Sequence, residues 1–359
     1  MPFPDKTATE MFENFYDTTK NEQGENKMKK LAVCALGAVM GVAACFSAMG
    51  CKKKEEVLIY TSIEDYTQEY MKECFEKELP DYEIKVEYMS TSGIAAKIIE
   101  EGEDTDCDIV FAEEYGFVEK MAEAGVLAKL SDTYDMSVYT NEALATDAKD
   151  YLLPSVKTGG AIILNTKVLA DNNIAKPTSY EDLLKPEFKG LVSMPSPASS
   201  GTGYMFYLSL VNAWGEEKAL EYFDKLTPNV LAYTSSGSGP VNALVGREVA
   251  VGMGMIQQAA EKIGGGVDEL EIVFFEEGAP FNLYGNCVVK GKEEKAGVKA
   301  VIDYLYNDFT NLCNEKYYPE TILKDKTYEA ANFPANITYA NMEGNTLAKK
   351  EGLLEKWTH

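Results

Sequence analysis

The chain has one histidine, His359, and one arginine, Arg247, in 359 residues. With its sole imidazole at the last position, it cannot assemble a His-based triad, a histidine zinc site or a histidine general base. A lone guanidinium rules out an arginine cluster. Positive charge is scarce overall: 34 Lys and Arg stand against 58 Asp and Glu, a formal net charge of −24. Such a surface repels nucleic acid and anionic lipid. Seven cysteines are present, and none sits in a CxxC spacing. Four of them, Cys74, Cys107, Cys287 and Cys313, have mostly apolar neighbours and suit buried thiols or disulfide partners equally well.

Charge is also missing from residues 31–49, LAVCALGAVMGVAACFSAM. The run is just long enough to span a bilayer. Its Ala and Gly content, the Met28-Lys29-Lys30 start and the small residues before Cys51 instead describe an export signal. Gly50-Cys51 resembles a bacterial lipobox, which implies cleavage before Cys51 and lipid on its sulfur. VAAC, ending at Cys45, is the rival position. Residues 1–27 are acidic and a poor lead-in to an export signal, and Gly24-Glu25 is codable as a ribosome-binding site. The expected organisation is therefore a gene-model extension over 1–27, a signal over 28–50 and a mature chain from 51.

The mature chain is long enough for two lobes. VLIY at 57–60 reads as a buried strand, followed by a helix near 67–77. EIKVEYM at 83–89 alternates like a strand and runs into STSG and a helix. DIVFA at 108–112 is a third strand before EEYG and another helix. A second block starts after GGAIILNT and repeats the pattern to about residue 263, with a strand return over 272–291. Strand, loop and helix in succession define an α/β fold with parallel strands and helices on both faces. Ligands of such sheets sit at the carboxyl ends of the strands.

Three loops share one chemistry: Ser90-Thr91-Ser92-Gly93, Ser199-Ser200-Gly201-Thr202-Gly203 and Thr234-Ser235-Ser236-Gly237-Ser238-Gly239. Each follows a strand and opens a helix. Any one of them alone reads as an N-cap and turn. Together, their free N–H groups and hydroxyls form an oxyanion cradle, with Gly admitting a ligand to the backbone. Glu64, Asp65, Glu113 and Glu114 lie at the same strand ends, as a solvated rim or as a pole for an ammonium or metal ion. Tyr317-Tyr318 reads as a helix end before Pro319 rather than a metal-binding phenolate pair.

VLIYTS, DCDIVFAEEYGFVEKMAEAGVL, LVSMPSPASSGTGYMF, LAYTSSGSGPVNALVGREVAVGMG, EEGAPFNLYGNCVVKG and EGLLEKW, in this order, resemble a known family over about residues 55–357. The chain is similar to the solute-binding proteins of bacterial ABC importers, in the group of ferric-iron, sugar-phosphate and 2-aminoethylphosphonate binders. The resemblance implies a two-lobed, type II periplasmic-binding-protein fold with two hinge crossings, near 154–162 and 276–282. Lobe 1 would take residues 51–158 and 279–359, and lobe 2 residues 159–278. It also implies a non-enzymatic, monomeric receptor, lipid-anchored outside the cell membrane, that hands a small-molecule solute to permease and ATPase subunits without a cofactor. Where the iron binders carry adjacent Tyr, this chain has Gln257 and Gln258, and their first-strand His is absent from TSIED. A phosphorylated or phosphonate solute, 2-aminoethylphosphonate-like, fits better than iron. The implied contacts are Thr61, Ser62, Ser92 and Gly93 from lobe 1, with Glu113 at the cationic end. From lobe 2 come Ser200, Gly201, Thr202, Ser235, Ser236 and Gly237, with Tyr284 beyond the second crossing. The alternatives are an iron or polyamine receptor, a surface adhesin of the same fold, and a secreted hydrolase using a loop Ser.

Overall fold

The computed structural model describes residues 54–359; the expected extension, the signal segment and Cys51 lie outside the described residues. The first block is β1 (Glu55–Thr61), α1 (Asp65–Glu78), β2 (Tyr82–Tyr88), α2 (Thr91–Glu101), β3 (Ile109–Glu114) and α3 (Tyr115–Glu123). The second opens with β4 (Leu153–Asn165), α4 (Thr166–Asp171), β5 (Val192–Pro195), α5 (Gly201–Trp214) and α6 (Glu216–Leu226). It continues with β6 (Val230–Thr234), α7 (Gly239–Val245), β7 (Val251–Met255), α8 (Ile256–Gly264) and β8 (Leu270–Val273). Then β9 (Phe281–Val288) returns, followed by α9 (Ala296–Tyr304), α10 (Thr310–Lys316) and α11 (Leu347–Leu354).

The helices form because their apolar residues recur at helical spacing. In α1, Thr67, Met71 and Phe75 lie four apart and are buried. Helix α5 is buried along most of its length, and its sequence is apolar on every face to match. Each large apolar side chain taken from water stabilises the fold by about 1.5–3 kcal/mol.

The strands run in the order β2-β1-β3-β9-β4-β7-β5-β6, with β8 also on β4. β1 is parallel to β2 and β3, and β5 to β6 and β7. β9 lies antiparallel between β3 and β4. Long β4 serves both halves: it pairs with β9 up to Gly159 and with β7 from Gly160 onward. This exchange of partners divides the sheet into two halves with separate cores. A Cβ on Gly160 would lie 2.7 Å from Met205 Cε and 2.9 Å from Pro280 Cγ, so a side chain at the junction would force these neighbours to shift.

A β-bulge between Val110 and Glu113 interrupts β3, where Ala112 takes a φ of 52°. Its N–H is held by Asn286 Oδ1 at 3.0 Å. An extra residue in one strand moves every later side chain to the other face, which redirects Glu113 and Glu114.

The end of the chain joins both halves. Leu347 N–H donates to Glu119 Oε2 of α3 at 3.0 Å, and Lys350 pairs with Glu114. Further on, Trp357 stacks against Phe223 of α6, with centroids 5.0 Å apart, and against Tyr207 of α5. The segment expected within lobe 1 alone therefore packs on both halves.

Candidate functional site

The carboxyl ends of β1, β2, β5 and β6 meet in one cleft at the junction of the halves, floored by Thr158 of β4, Met255 of β7 and Tyr284 of β9. Its enclosed volume is about 30 Å³, room for one or two waters. The walls are nearly in contact because side chains bond across the cleft. Tyr88 Oη donates to Ser236 Oγ at 2.7 Å, and Ser236 shares a 2.7 Å bond with Ser238 Oγ. Thr91 Oγ1 and Ser92 Oγ both donate to the Ser199 carbonyl at 3.3 Å.

Two helices point their amino ends into this cleft. Ser90 caps α2, its Oγ accepting from Gly93 N at 3.2 Å; Ser200 caps α5, accepting from Gly203 N at 3.4 Å. The first-turn amides of Thr91 and Ser92, and of Gly201 and Thr202, have no acceptor inside their helices. Each end carries a partial positive charge. The third loop approaches the second so closely that a Cβ on Gly237 would lie 3.0 Å from Thr202 Cβ. The side chains lining the cleft include no lysine and no arginine.

Eight expected contact residues line the cleft: Ser62, Ser200, Gly201, Thr202, Ser235, Ser236, Gly237 and Tyr284. Four do not. Thr61 is buried, its Oγ1 donating to Phe111 O at 2.9 Å and accepting from Ile63 N at 3.1 Å, so it shapes the loop from behind. The Ser92 hydroxyl is already spent on Ser199, and the Gly93 amide on Ser90. Glu113, expected at the cationic end, lies off the lining with both oxygens buried and unpartnered. Burial, followed by the Glu114 charge, holds its carboxyl well above the usual range. The Ala112 bulge is the physical reason: it turns Glu113 away from the cleft.

The carboxylate in the lining is Glu64, 7% exposed, accepting from Tyr318 Oη at 2.9 Å. Burial raises its pKa, opposed by hydrogen bonds to its backbone and to Tyr318. Tyr318 also bonds Thr67 Oγ1 at 3.1 Å, which makes it a support for Glu64. Gln258 Nε2 reaches Ser238 O at 3.2 Å and Asn242 Oδ1 at 3.1 Å, steadying the third loop from behind. No group of three or more His, Cys, Asp or Glu placed to hold a metal occurs among the described residues. Cys74, Cys107, Cys287 and Cys313 are free thiols.

Sequence reasoning missed Tyr88, Thr158 and Met255. Tyr88 had a usable signal, the last strand residue before STSG, at a carboxyl end. Thr158 had none beyond its place beside the Gly159-Gly160 pair.

The model of the family described as "Bacterial extracellular solute-binding protein" matches residues 106–341. The chain belongs to this family. The spermidine/putrescine-binding periplasmic protein of Escherichia coli is 27% identical over 259 residues, 67% of this chain and 70% of that one. The periplasmic binding protein AfuA from Actinobacillus pleuropneumoniae, solved with fructose-6-phosphate, superposes with a TM-score of 0.72 at 24% identity, over 85% of this chain and 98% of AfuA. Apo ferric ion-binding protein A of Pasteurella haemolytica gives 0.65 at 19% identity, over 84% and 96%. The fold is thus the two-lobed type II periplasmic-binding-protein fold. The chain is accordingly an extracellular solute-binding protein. The family and these neighbours are binding proteins.

Proposed function

We propose that this solute-binding protein captures a small phosphorylated or phosphonate solute, 2-aminoethylphosphonate-like, by closing two lobes over it. One observation carries the reading. Helix starts from both halves bring amides and hydroxyls to one cleft whose lining holds no cationic side chain. Such a site suits an anion held by neutral donors, each hydrogen bond to a charged group contributing ~1.5–3 kcal/mol. Removing water from a phosphate costs several kcal/mol, so donors from both lobes are needed. Ser62 and the Thr91 end contribute from the first lobe; Ser200, Gly201, Thr202, Ser235, Ser236 and Gly237 contribute from the second. Glu64, at the other end, takes the ammonium group, and Tyr284 packs on the ligand between them. The sugar phosphate in AfuA supports a phosphorylated ligand for this architecture.

Closure pivots where β4 changes partner at Gly159-Gly160, between lobe 1 (51–158 and 279–359, whose last residues also pack on the other half) and lobe 2 (159–278). Contacts made by both lobes only in the closed form drive it. A lipid on Cys51 tethers the monomer to the membrane beside its permease and ATPase.

Thermal unfolding with 2-aminoethylphosphonate, a hexose phosphate, inorganic phosphate, putrescine, spermidine and ferric citrate tests the reading. A ligand at 100 times its dissociation constant adds ~2.7 kcal/mol, a rise of a few degrees. A rise with a phosphonate or phosphate ester is expected. A rise confined to a polyamine would overturn it. The second reading, a polyamine receptor, rests on Glu64, Tyr88 and Tyr284 all lining the cleft, and on the Escherichia coli relative.

A further inference from the structure

Behind the cleft floor lies an ion pair without solvent: Lys350 of α11 is 2% exposed and Glu114 of β3 is 0% exposed. Glu114 Oε1 accepts from Gly116 N at 3.1 Å and so caps α3, while Oε2 takes Lys350. Lys350 Nζ lies over the ring of Phe117 at 3.7 Å and that of Tyr204 at 4.7 Å. A fully buried pair is a poor route to stability, since the desolvation of both ions offsets their attraction. Its position suggests another use. A Cβ on Gly201 would lie 3.0 Å from Glu114 Cγ, so the carboxylate stem stands directly behind the first residue of α5. Asn282 Nδ2 holds the Gly201 carbonyl at 2.7 Å and fixes that helix start. While ionised, a Glu114 without Lys350 would place negative charge behind the amides that face the cleft. In a buried setting, one such charge outweighs the half-charge of a helix end.

We propose that Lys350 and Glu114 form a charge-setting pair: Lys350 cancels Glu114, and the balance between them fixes the sign and strength of the field that α5 presents to the solute. This inference rests on the cleft reading above. It assigns a binding role to the C-terminal helix, which contributes nothing to the lining.

Isothermal titration calorimetry with 2-aminoethylphosphonate, inorganic phosphate and putrescine tests it on the wild type and three variants. Glu114→Gln leaves Lys350 uncompensated behind α5 and is expected to tighten anion binding about tenfold. Lys350→Met leaves the carboxylate and is expected to weaken it about tenfold. The neutral double variant Glu114→Gln/Lys350→Met should bind within about threefold of wild type, and it serves if a single variant fails to fold by circular dichroism. A purely structural pair weakens binding in both single variants, and that result, or no change in either, overturns the proposal. If the wild type binds putrescine and no anion, the anion reading falls. Opposite signs for the two variants then uphold the pair's role, and like signs overturn it. Binding of none of the three probes overturns both.

Discussion

Tyr88 Oη reaches 2.7 Å across the cleft to Ser236 Oγ, joining the end of β2 in one half to the loop after β6 in the other. Ser236 is part of the proposed grip, so this bond competes with the solute for the same hydroxyl. Tyr88→Phe removes it at a cost to the closed form of about 1 kcal/mol, roughly a fivefold shift toward the open form. Small-angle scattering of the unliganded variant should show a larger radius of gyration than wild type. An identical scattering curve would mean that the bond does not hold the lobes together.

Glu113 is buried with both oxygens unpartnered, and its carboxyl is held well above its usual range by burial and by the Glu114 charge. A carboxyl raised by folding binds protons more tightly in the native state. Its contribution is fully present below the unfolded pKa and is lost as pH rises through the folded value. Glu113→Gln should therefore stabilise the protein at pH 8 by on the order of 1–2 kcal/mol, and by less at pH 4. Urea titrations at the two pH values check this; destabilisation by the same amount at both would refute it.

Gly203 lies in the first turn of α5, where a Cβ would come within 2.6 Å of the Ser196 carbonyl carbon. That neighbour is backbone and cannot move aside. Gly203→Ala is expected to lower stability by about 2 kcal/mol, in the range of overpacked sites, and to displace Ser200 and Thr202. A melting temperature equal to wild type would show that the loop yields more easily than this contact implies.

The thiols test the packing of the first half. Cys107, Cys287 and Cys313 are buried, and burial pushes the Cys107 thiol up to about 12. Cys74 is half-buried. Under native conditions at pH 8, a maleimide should modify Cys74 ahead of the other three by mass mapping. Equal labelling would indicate that the half opens readily.

Much of the fold was legible because buried strands and helix-opening Ser/Gly loops leave local marks. VLIY, DIVFA and STSG lie within or next to β1, β3 and the α2 cap. The cleft was legible in part for the same reason: a helix start after a strand points to the carboxyl edge of the sheet. What stayed hidden depends on contacts far apart in the chain. The bulge at Ala112 needs Asn286 to hold it, and no local pattern distinguishes Glu113 from Glu114. Glu64 was on view as a candidate, but its selection rests on Tyr318, which arrives from the end of α10. The Lys350–Glu114 pair joins the third strand to the last helix, a distance over which charge patterning carries no signal.

The place of β9 between β3 and β4 has a consequence for the order of events in the cell. The first half of the sheet lacks an inner strand until residue 288 has been synthesised, and α11 cannot pair Lys350 with Glu114 until nearly the whole chain exists. Pairing between such remote segments is slow to form. The solute cleft, floored in part by Tyr284 of β9, is therefore completed only after that late strand has paired with both β3 and β4.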